Sequence, residues 1–281
     1  MIIGIAGLGL IGGSLAKAFK YNTPHTVYGF DIDRDVMLKA KLVGAIDGEL
    51  NEETVSECDL LICALYPKAT VEYVQKNAAR IKKGALVMDS CGVKGVICET
   101  LWKTASENGF RFYGAHPMAG LHFSGFSYSD VAMFQNASLV LVPPADANIA
   151  ELAALKELFL SIGFSNIQMS TPEEHDRIIA YTSQLAHVVS NAYVKSPEAQ
   201  VHSGFSAGSY KDLTRVAKLN ADMWTELFLD NPENLLNEVE EIIANLQAYA
   251  DALKNRDANT LHALLKAGSD RKEQIDGLYR S

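Results

Sequence analysis

The first thirty residues constrain this chain more than any other stretch. An apolar, β-branched run, Ile2–Gly7, leads straight into Gly7-Leu8-Gly9-Leu10-Ile11-Gly12, and the helix-like segment Ile11–Lys20 follows. A G-x-G-x-x-G pattern alone is weak, but between a strand and a helix it has a mechanical reading. The first glycine permits a tight turn, the second lets backbone approach a pyrophosphate, and the third lets helix and strand pack closely. The N–H groups opening the helix then face the phosphates. Asp31 ends a second strand-like run, Val27–Asp31, 19 positions after Gly12. A carboxylate there accepts hydrogen bonds from ribose hydroxyls and repels a 2′-phosphate. The expected cofactor is therefore NAD, held by Gly7, Gly9, Leu10, Ile11, Gly12 and Asp31. Arg34, close by, is the residue type that accommodates the extra phosphate of NADP.

Short apolar runs recur at Asp59–Leu65, Ala85–Asp89, Arg111–Gly114, Ser138–Val142 and Asn166–Met169, most of them separated by helix-like segments such as Pro67–Arg80. This alternation predicts a doubly wound, mostly parallel α/β sheet covered on both faces, a Rossmann domain over residues 1–170. After Ser170 the strand pattern stops. Thr171-Pro172-Glu173-Glu174 combines a capping Thr, Pro at the first helical position and acids in the first turn, and predicts a helix to about Val194. The Gly- and Ser-rich stretch Ser196–Ser209 breaks it. Asn231-Pro232-Glu233 opens another helix, along which Leu235, Val239, Ile242, Leu246, Tyr249 and Leu253 form one apolar stripe. Such a stripe serves as core, as a seam between subunits, or as both. An all-α domain over residues 171–281 is expected.

The 281 residues carry a formal net charge of −9 and no run of Lys or Arg. Nucleic acid, which needs a basic face, is not an expected partner, and an anionic ligand requires a locally placed cation. Cys58, Cys63, Cys91 and Cys98 show neither C-x-x-C spacing nor a zinc-type grouping. Reduced thiols, no metal and a cytoplasmic setting follow from that usage. The apolar N-terminus lacks the basic region of a signal peptide. No window reaches the roughly 18 consecutive apolar residues of a membrane span.

Ligands of a doubly wound sheet sit at the carboxyl ends of its strands. Three segments follow such ends: Leu65-Tyr66-Pro67, Asp89–Lys94 and Ala115–Gly120. A histidine there, His116, suits proton acceptance from a hydroxyl because its pKa lies near working pH. A lone histidine is as readily structural.

The string His116-Pro117-Met118-Ala119-Gly120 resembles the catalytic signature of the prephenate and arogenate dehydrogenases of tyrosine biosynthesis. The loop Gly7–Gly12, Asp89-x-x-Gly92-Val93-Lys94, Ser183-Gln-Leu-Ala-His187 and Lys211-Asp-Leu-Thr-Arg-Val-Ala217 with Met223-Trp224 are similar to further motifs of that family, in order and over nearly the whole chain. The resemblance implies oxidative decarboxylation of a small-molecule substrate, prephenate or arogenate, with NAD as hydride acceptor. It implies that His116 is the catalytic base and Arg215 the bidentate clamp on a substrate carboxylate. His187 is expected at the substrate's polar end, with Ser90, Gly92, Lys211, Asp212 and Trp224 shaping the pocket, and a homodimer is expected through the helical domain.

Three positions depart from the family pattern. Gly92 stands where many relatives have a Ser that touches the hydroxyl, which leaves that contact to Ser90, Cys91 or a water. His122 stands in a segment that often contains Glu, and Gln184 replaces the first His of S-H-L-P-H. Ending at Ser281, the chain is expected to lack the regulatory domain or fused mutase of some relatives. A β-hydroxyacid dehydrogenase and an NAD-sensing module without turnover are the alternatives. The former typically depends on a helix Lys, whereas this chain offers His116 and Arg215. Steady-state kinetics are expected to show a preference for NAD; a clear preference for NADP overturns the reading of Asp31.

Overall fold

Eight strands form one sheet in the order β3-β2-β1-β4-β5-β6-β7-β8 in the computed structural model, which describes residues 1–121, 123–202 and 204–278. His122 lies outside them. The strands are β1 (Ile2–Ala6), β2 (Thr26–Phe30), β3 (Gly48–Glu49), β4 (Leu60–Cys63), β5 (Leu86–Asp89), β6 (Arg111–Pro117), β7 (Ser138–Val142) and β8 (Asn166–Met169). All neighbours from β3 to β6 run parallel, β7 is antiparallel to β6, and β8 is parallel to β7. Ile3 of β1 lies opposite Val27 of β2 and Leu60 of β4. The chain order reverses between β1 and β4, which opens the crevice where such sheets take their ligands. Every residue of Leu60–Cys63 is buried, as expected of a strand covered on both faces.

Helices α1 (Leu10–Asn22), α2 (Arg34–Leu42), α3 (Pro67–Asn77), α4 (Gly95–Asn108) and α5 (Ile149–Ser161) cover the sheet. One apolar layer centres on Phe19, Phe134, Phe159 and Phe164. The other centres on Val74, Ile97, Leu101 and Phe112. The four cysteines are free and buried.

One strand runs well past the sequence reading, and one was not anticipated. β6 does not stop at Gly114 but continues to Pro117, because β7 supplies antiparallel partners for Gly114 through Pro117. His116 thus sits on a paired strand, opposite Val140, rather than on a loop. The two-residue β3 is too short to show any periodicity and was not anticipated.

The glycine loop divides its work as expected. Gly7 has φ +88°, and a Cβ there would lie 2.4 Å from the Ala64 carbonyl oxygen. A Cβ on Gly12 would lie 1.8 Å from the Gly7 carbonyl oxygen, so only glycine lets α1 pack this close to β1. A Cβ on Gly9 would meet nothing within 4 Å.

Beyond β8 the chain is helical. The expected single helix is instead α6 (Pro172–Ile179), a π-helical turn (Ala180–Gln184) and α7 (Leu185–Tyr193). Thr171 caps α6, its Oγ1 accepting from Glu174 N at 3.2 Å. Then come α8 (Gly208–Thr214), α9 (Ala221–Leu229), α10 (Pro232–Lys254) and α11 (Ala258–Leu278). Residues 1–232 form one compact unit and residues 233–281 a second. On α10, Leu235 is buried while Leu246 and Leu253 are 59% and 61% exposed. No helix among the described residues is long and apolar enough to cross a membrane.

Gly12→Ala is expected to destabilise the fold by about 1–3 kcal/mol or more, the scale of forced overpacking. Gly9→Ala should stay within about 0.5 kcal/mol of the parent while weakening nucleotide binding. Urea midpoints and a dinucleotide titration separate the two effects.

Candidate active site

The turn after β5 is built around a buried ion pair. Lys94 and Asp89 are 0% and 1% exposed. Lys94 Nζ donates to Asp89 Oδ2 at 2.5 Å and to the carbonyls of Cys91 and Val93 at 2.9 Å each. Asp89 also accepts from the backbone of Cys91 and, across to β6, from Ala115, both at 2.9 Å. Burial alone would push the ammonium pKa down; the adjacent Asp89 carboxylate outweighs it, and the Lys94 pKa is raised. A fixed positive charge therefore lies beneath the end of β6.

His116 points its Nδ1 at His175 Nε2, 2.9 Å away, with the two rings edge to face. His175 Nδ1 in turn donates to Asp176 Oδ1 at 2.7 Å. Asp176 Oδ1 accepts from Lys94 N and its Oδ2 from Gly95 N, each at 2.8 Å. Asn231 Nδ2 donates to the Asp176 carbonyl at 2.8 Å and to Gln184 Oε1 at 2.9 Å, and Gln184 Nε2 donates to the Leu227 carbonyl at 3.0 Å. Burial pushes His116 well below the usual histidine pKa, and the charges of His175 and Lys94 push the same way. Burial also lowers His175, against the opposing pull of Asp176. Both rings are neutral bases in the working range.

His175, Asp176 and Asn231 were missed by the sequence reading. The signal was present: Pro172, His175, Asp176 and Ile179 are the buried positions of α6, spaced as one helix face. A His-Asp pair in an otherwise core-facing stripe needs partners. The sequence places the pair inside the helix that opens at Thr171.

A second cluster lies on the helical side. His187 Nδ1 donates to the Ser183 carbonyl at 2.9 Å, and its ring lies 3.8 Å from that of Trp224. Burial lowers the His187 pKa, the hydrogen bond to Ser183 opposes this, and the Arg215 charge adds to the lowering. Arg215 follows α8 directly and is exposed, without an ion pair among the described residues. Asn191 Nδ2, donating to the Ala217 carbonyl at 3.1 Å, holds that segment to α7. Lys211 and Asp212 are exposed on α8 and are not drawn into the cluster by any hydrogen bond among the described residues.

Around Gly92 the space is closed by α9. A Cβ on Gly92 would sit 3.4 Å from Leu227 Cδ2. Cys91 is buried, its Sγ on the Leu65 carbonyl at 3.3 Å, and so is withdrawn from any ligand. Ser90 is partly exposed, with Oγ 3.5 Å from the Cys63 carbonyl.

At the nucleotide crevice, Gly9 is the N-cap of α1 and offers no side-chain cap, so the first N–H groups stay available to an anion. Asp31 Oδ2 accepts from Leu8 N at 2.8 Å and Oδ1 from Asp33 N at 2.9 Å, which fixes the carboxylate and leaves acceptor capacity for hydroxyls. Together with the open space at Gly9, this arrangement fits a dinucleotide.

Comparison with known proteins places two family models on most of the chain. The model described as prephenate dehydrogenase, nucleotide-binding domain, matches residues 15–167. That described as prephenate dehydrogenase, dimerization domain, matches residues 171–267. A prephenate dehydrogenase of Lactococcus lactis is 30% identical over 280 residues, which span 97% of this chain and 77% of that one. A cyclohexadienyl dehydrogenase of Zymomonas mobilis is 29% identical over 269 residues, 92% of this chain and 90% of its own. The crystal structure of prephenate dehydrogenase from A. aeolicus in complex with hydroxyphenyl propionate and NAD+ superposes with a TM-score of 0.86 at 27% identity, covering 98% of each chain.

Lys94→Met leaves the Asp89 carboxylate buried without its counter-charge. It is expected to cost about 3–5 kcal/mol of stability, the usual result of breaking a buried pair. The double variant Asp89→Asn/Lys94→Met should recover part of that loss in chemical denaturation.

Proposed function

The chain belongs to the prephenate dehydrogenase family, and on that premise we propose that it catalyses the NAD-dependent oxidative decarboxylation of prephenate to 4-hydroxyphenylpyruvate. The observation that carries this reading is a neutral, partly exposed His116 at the carboxyl end of β6, at the same end of the parallel strands as the dinucleotide crevice. NAD, held by the Gly7–Gly12 loop and Asp31, supplies the acceptor for the hydride that leaves C4 of the substrate. His116 takes the proton of the 4-hydroxyl as that hydride departs. Arg215 grips a carboxylate with its planar fork and, with His187 and Trp224, orients the substrate. Loss of CO2 from C1 makes the ring aromatic and drives the reaction. Ser90 lines the hydroxyl side in place of the serine that Gly92 replaces, while Lys211 and Asp212 border the entrance on α8.

In the same reading the Rossmann domain ends near Ser170, and residues 171–281 bind substrate and pair two chains into a homodimer in the cytoplasm. The match to a dimerization-domain model and the exposed leucines of α10 support the pairing.

Arogenate is a second reading, favoured by one observation. His187 commits its Nδ1 proton to the Ser183 carbonyl, so the neutral ring offers a lone pair at Nε2. That lone pair suits the ammonium of arogenate. A keto or carboxylate oxygen needs the ring protonated.

NADH formation measured with prephenate and with arogenate, each with NAD and NADP, tests the proposal; no turnover of either substrate overturns it. His116→Asn is expected to lower kcat by about 100-fold or more with NAD affinity retained. Arg215→Gln should chiefly raise KM for the substrate. Because the His116 pKa is depressed, kcat/KM should hold as pH falls through the ordinary histidine value of about 6.5 and decline only below it.

A further inference from the structure

The polar chain from His116 to Asp176 has only one consistent arrangement of protons. The Asp176 carboxylate accepts and cannot donate, so His175 Nδ1 carries the proton between them. A neutral His175 then presents a lone pair at Nε2. His116 Nδ1, 2.9 Å away, must donate to it, since two facing lone pairs would repel. His116 Nε2 is left with a lone pair, and it makes no hydrogen bond among the described residues. Two donors at that distance are equally excluded, so the gap between the rings holds one proton.

We propose that His175 and Asp176 are positioning residues that hold His116 as its Nδ1–H tautomer and take up the proton His116 receives. The second half rests on the reading of His116 as the base. In the step, the substrate O–H bond breaks and an Nε2–H bond forms on His116. The His116 Nδ1–H bond breaks as that proton passes to His175 Nε2. His175 becomes an imidazolium against the Asp176 carboxylate, and His116 is neutral again. The electron pair of the O–H bond stays with the substrate oxygen and forms its carbonyl bond as hydride leaves C4; loss of CO2 then returns that pair to the oxygen, which takes the proton back as the ring becomes aromatic.

The surrounding charges make this hand-off directional. The Lys94 ammonium, at the start of α4, disfavours a positive charge on either ring, and Asp89 at the end of β5 offsets it for His175. Asp176 on α6 touches His175 alone of the two. Glu226 on α9 and Asp230 just after it lie on the Asp176 side, where burial and the charges of Glu226 and Asp176 raise the Asp230 pKa.

The test begins with ¹⁵N imidazole NMR of the wild-type protein without substrate, His116 being assigned by its loss in His116→Asn. A protonated Nδ1 and an unprotonated Nε2 are expected; the opposite tautomer overturns the proposal, whatever the substrate proves to be. Kinetics then use two variants at His175. His175→Gln keeps an acceptor for His116 Nδ1 but cannot hold the proton, whereas His175→Phe does neither. With prephenate, kcat should fall about tenfold in the first and by 100-fold or more in the second, on the scale of general-base catalysis, with KM for NAD unchanged. Asp176→Asn should shift the acidic limb of kcat to lower pH, which a merely structural residue would not do. Wild-type kcat and pH profile in His175→Phe overturn the proposal while leaving the assignment of function standing. Absence of turnover by the wild-type protein defeats that assignment, and the tautomer still decides the positioning role.

Discussion

The Asp176 carboxylate accepts the backbone N–H groups of Lys94 and Gly95 at the start of α4 and faces the His175 ring beside it on α6. These bonds join two parts of the chain more than eighty positions apart. They satisfy donors that a buried helix start would otherwise leave open, and they place an acid at the positive end of the α4 dipole. The helical segment is thereby docked at the carboxyl end of the sheet, and His175 reaches the ring of His116. Further along, Asn231 grips the Asp176 carbonyl, and Glu226 Oε1 accepts from Lys68 N at the start of α3 at 2.7 Å. The docking therefore spans the ends of both β4 and β5.

Charge in the site is local and opposed to the protein's overall sign. The chain is acidic, yet two cations, Lys94 and Arg215, stand close enough to His116 and His187 to add to the lowering that burial chiefly imposes. One is locked to Asp89 under the base, and the other stands exposed beside His187. A buried cation is costly unless paired, which is why the ion pair also collects two carbonyls and two backbone N–H groups. The result is a histidine kept neutral by its surroundings and a guanidinium left exposed to solvent.

What could be read from sequence was what depends on the backbone alone. Gly7 and Gly12 are dictated by φ and by close approach, so their pattern is visible without knowing the fold. Asp31 is similarly tied to the end of its strand. The extent of β6 was not legible, because residues 114–117 are held by β7, a partner that local propensity does not reveal. Nor was the role of His175 and Asp176, whose meaning comes from Lys94 and His116, distant in sequence. His187, Trp224 and Arg215 were singled out through their motif; the fold sets the first two rings together and brings the Arg215 charge within reach of His187. The motif's Lys211 and Asp212 stay exposed on α8.

The π-helical turn at Ala180–Gln184 has a consequence at the level of inheritance. A π turn closes its hydrogen bonds one residue later than an α turn, so it absorbs one extra residue into an otherwise continuous helix. Without it, everything from Leu185 onward would rotate by about 100° about the axis. The Ser183–His187 bond and the stacking on Trp224 belong to the phase that the turn sets. Losing one codon here would leave a helix of ordinary composition in which His187 no longer faces Trp224. In this part of the chain, the placing of a side chain is written in length as much as in identity.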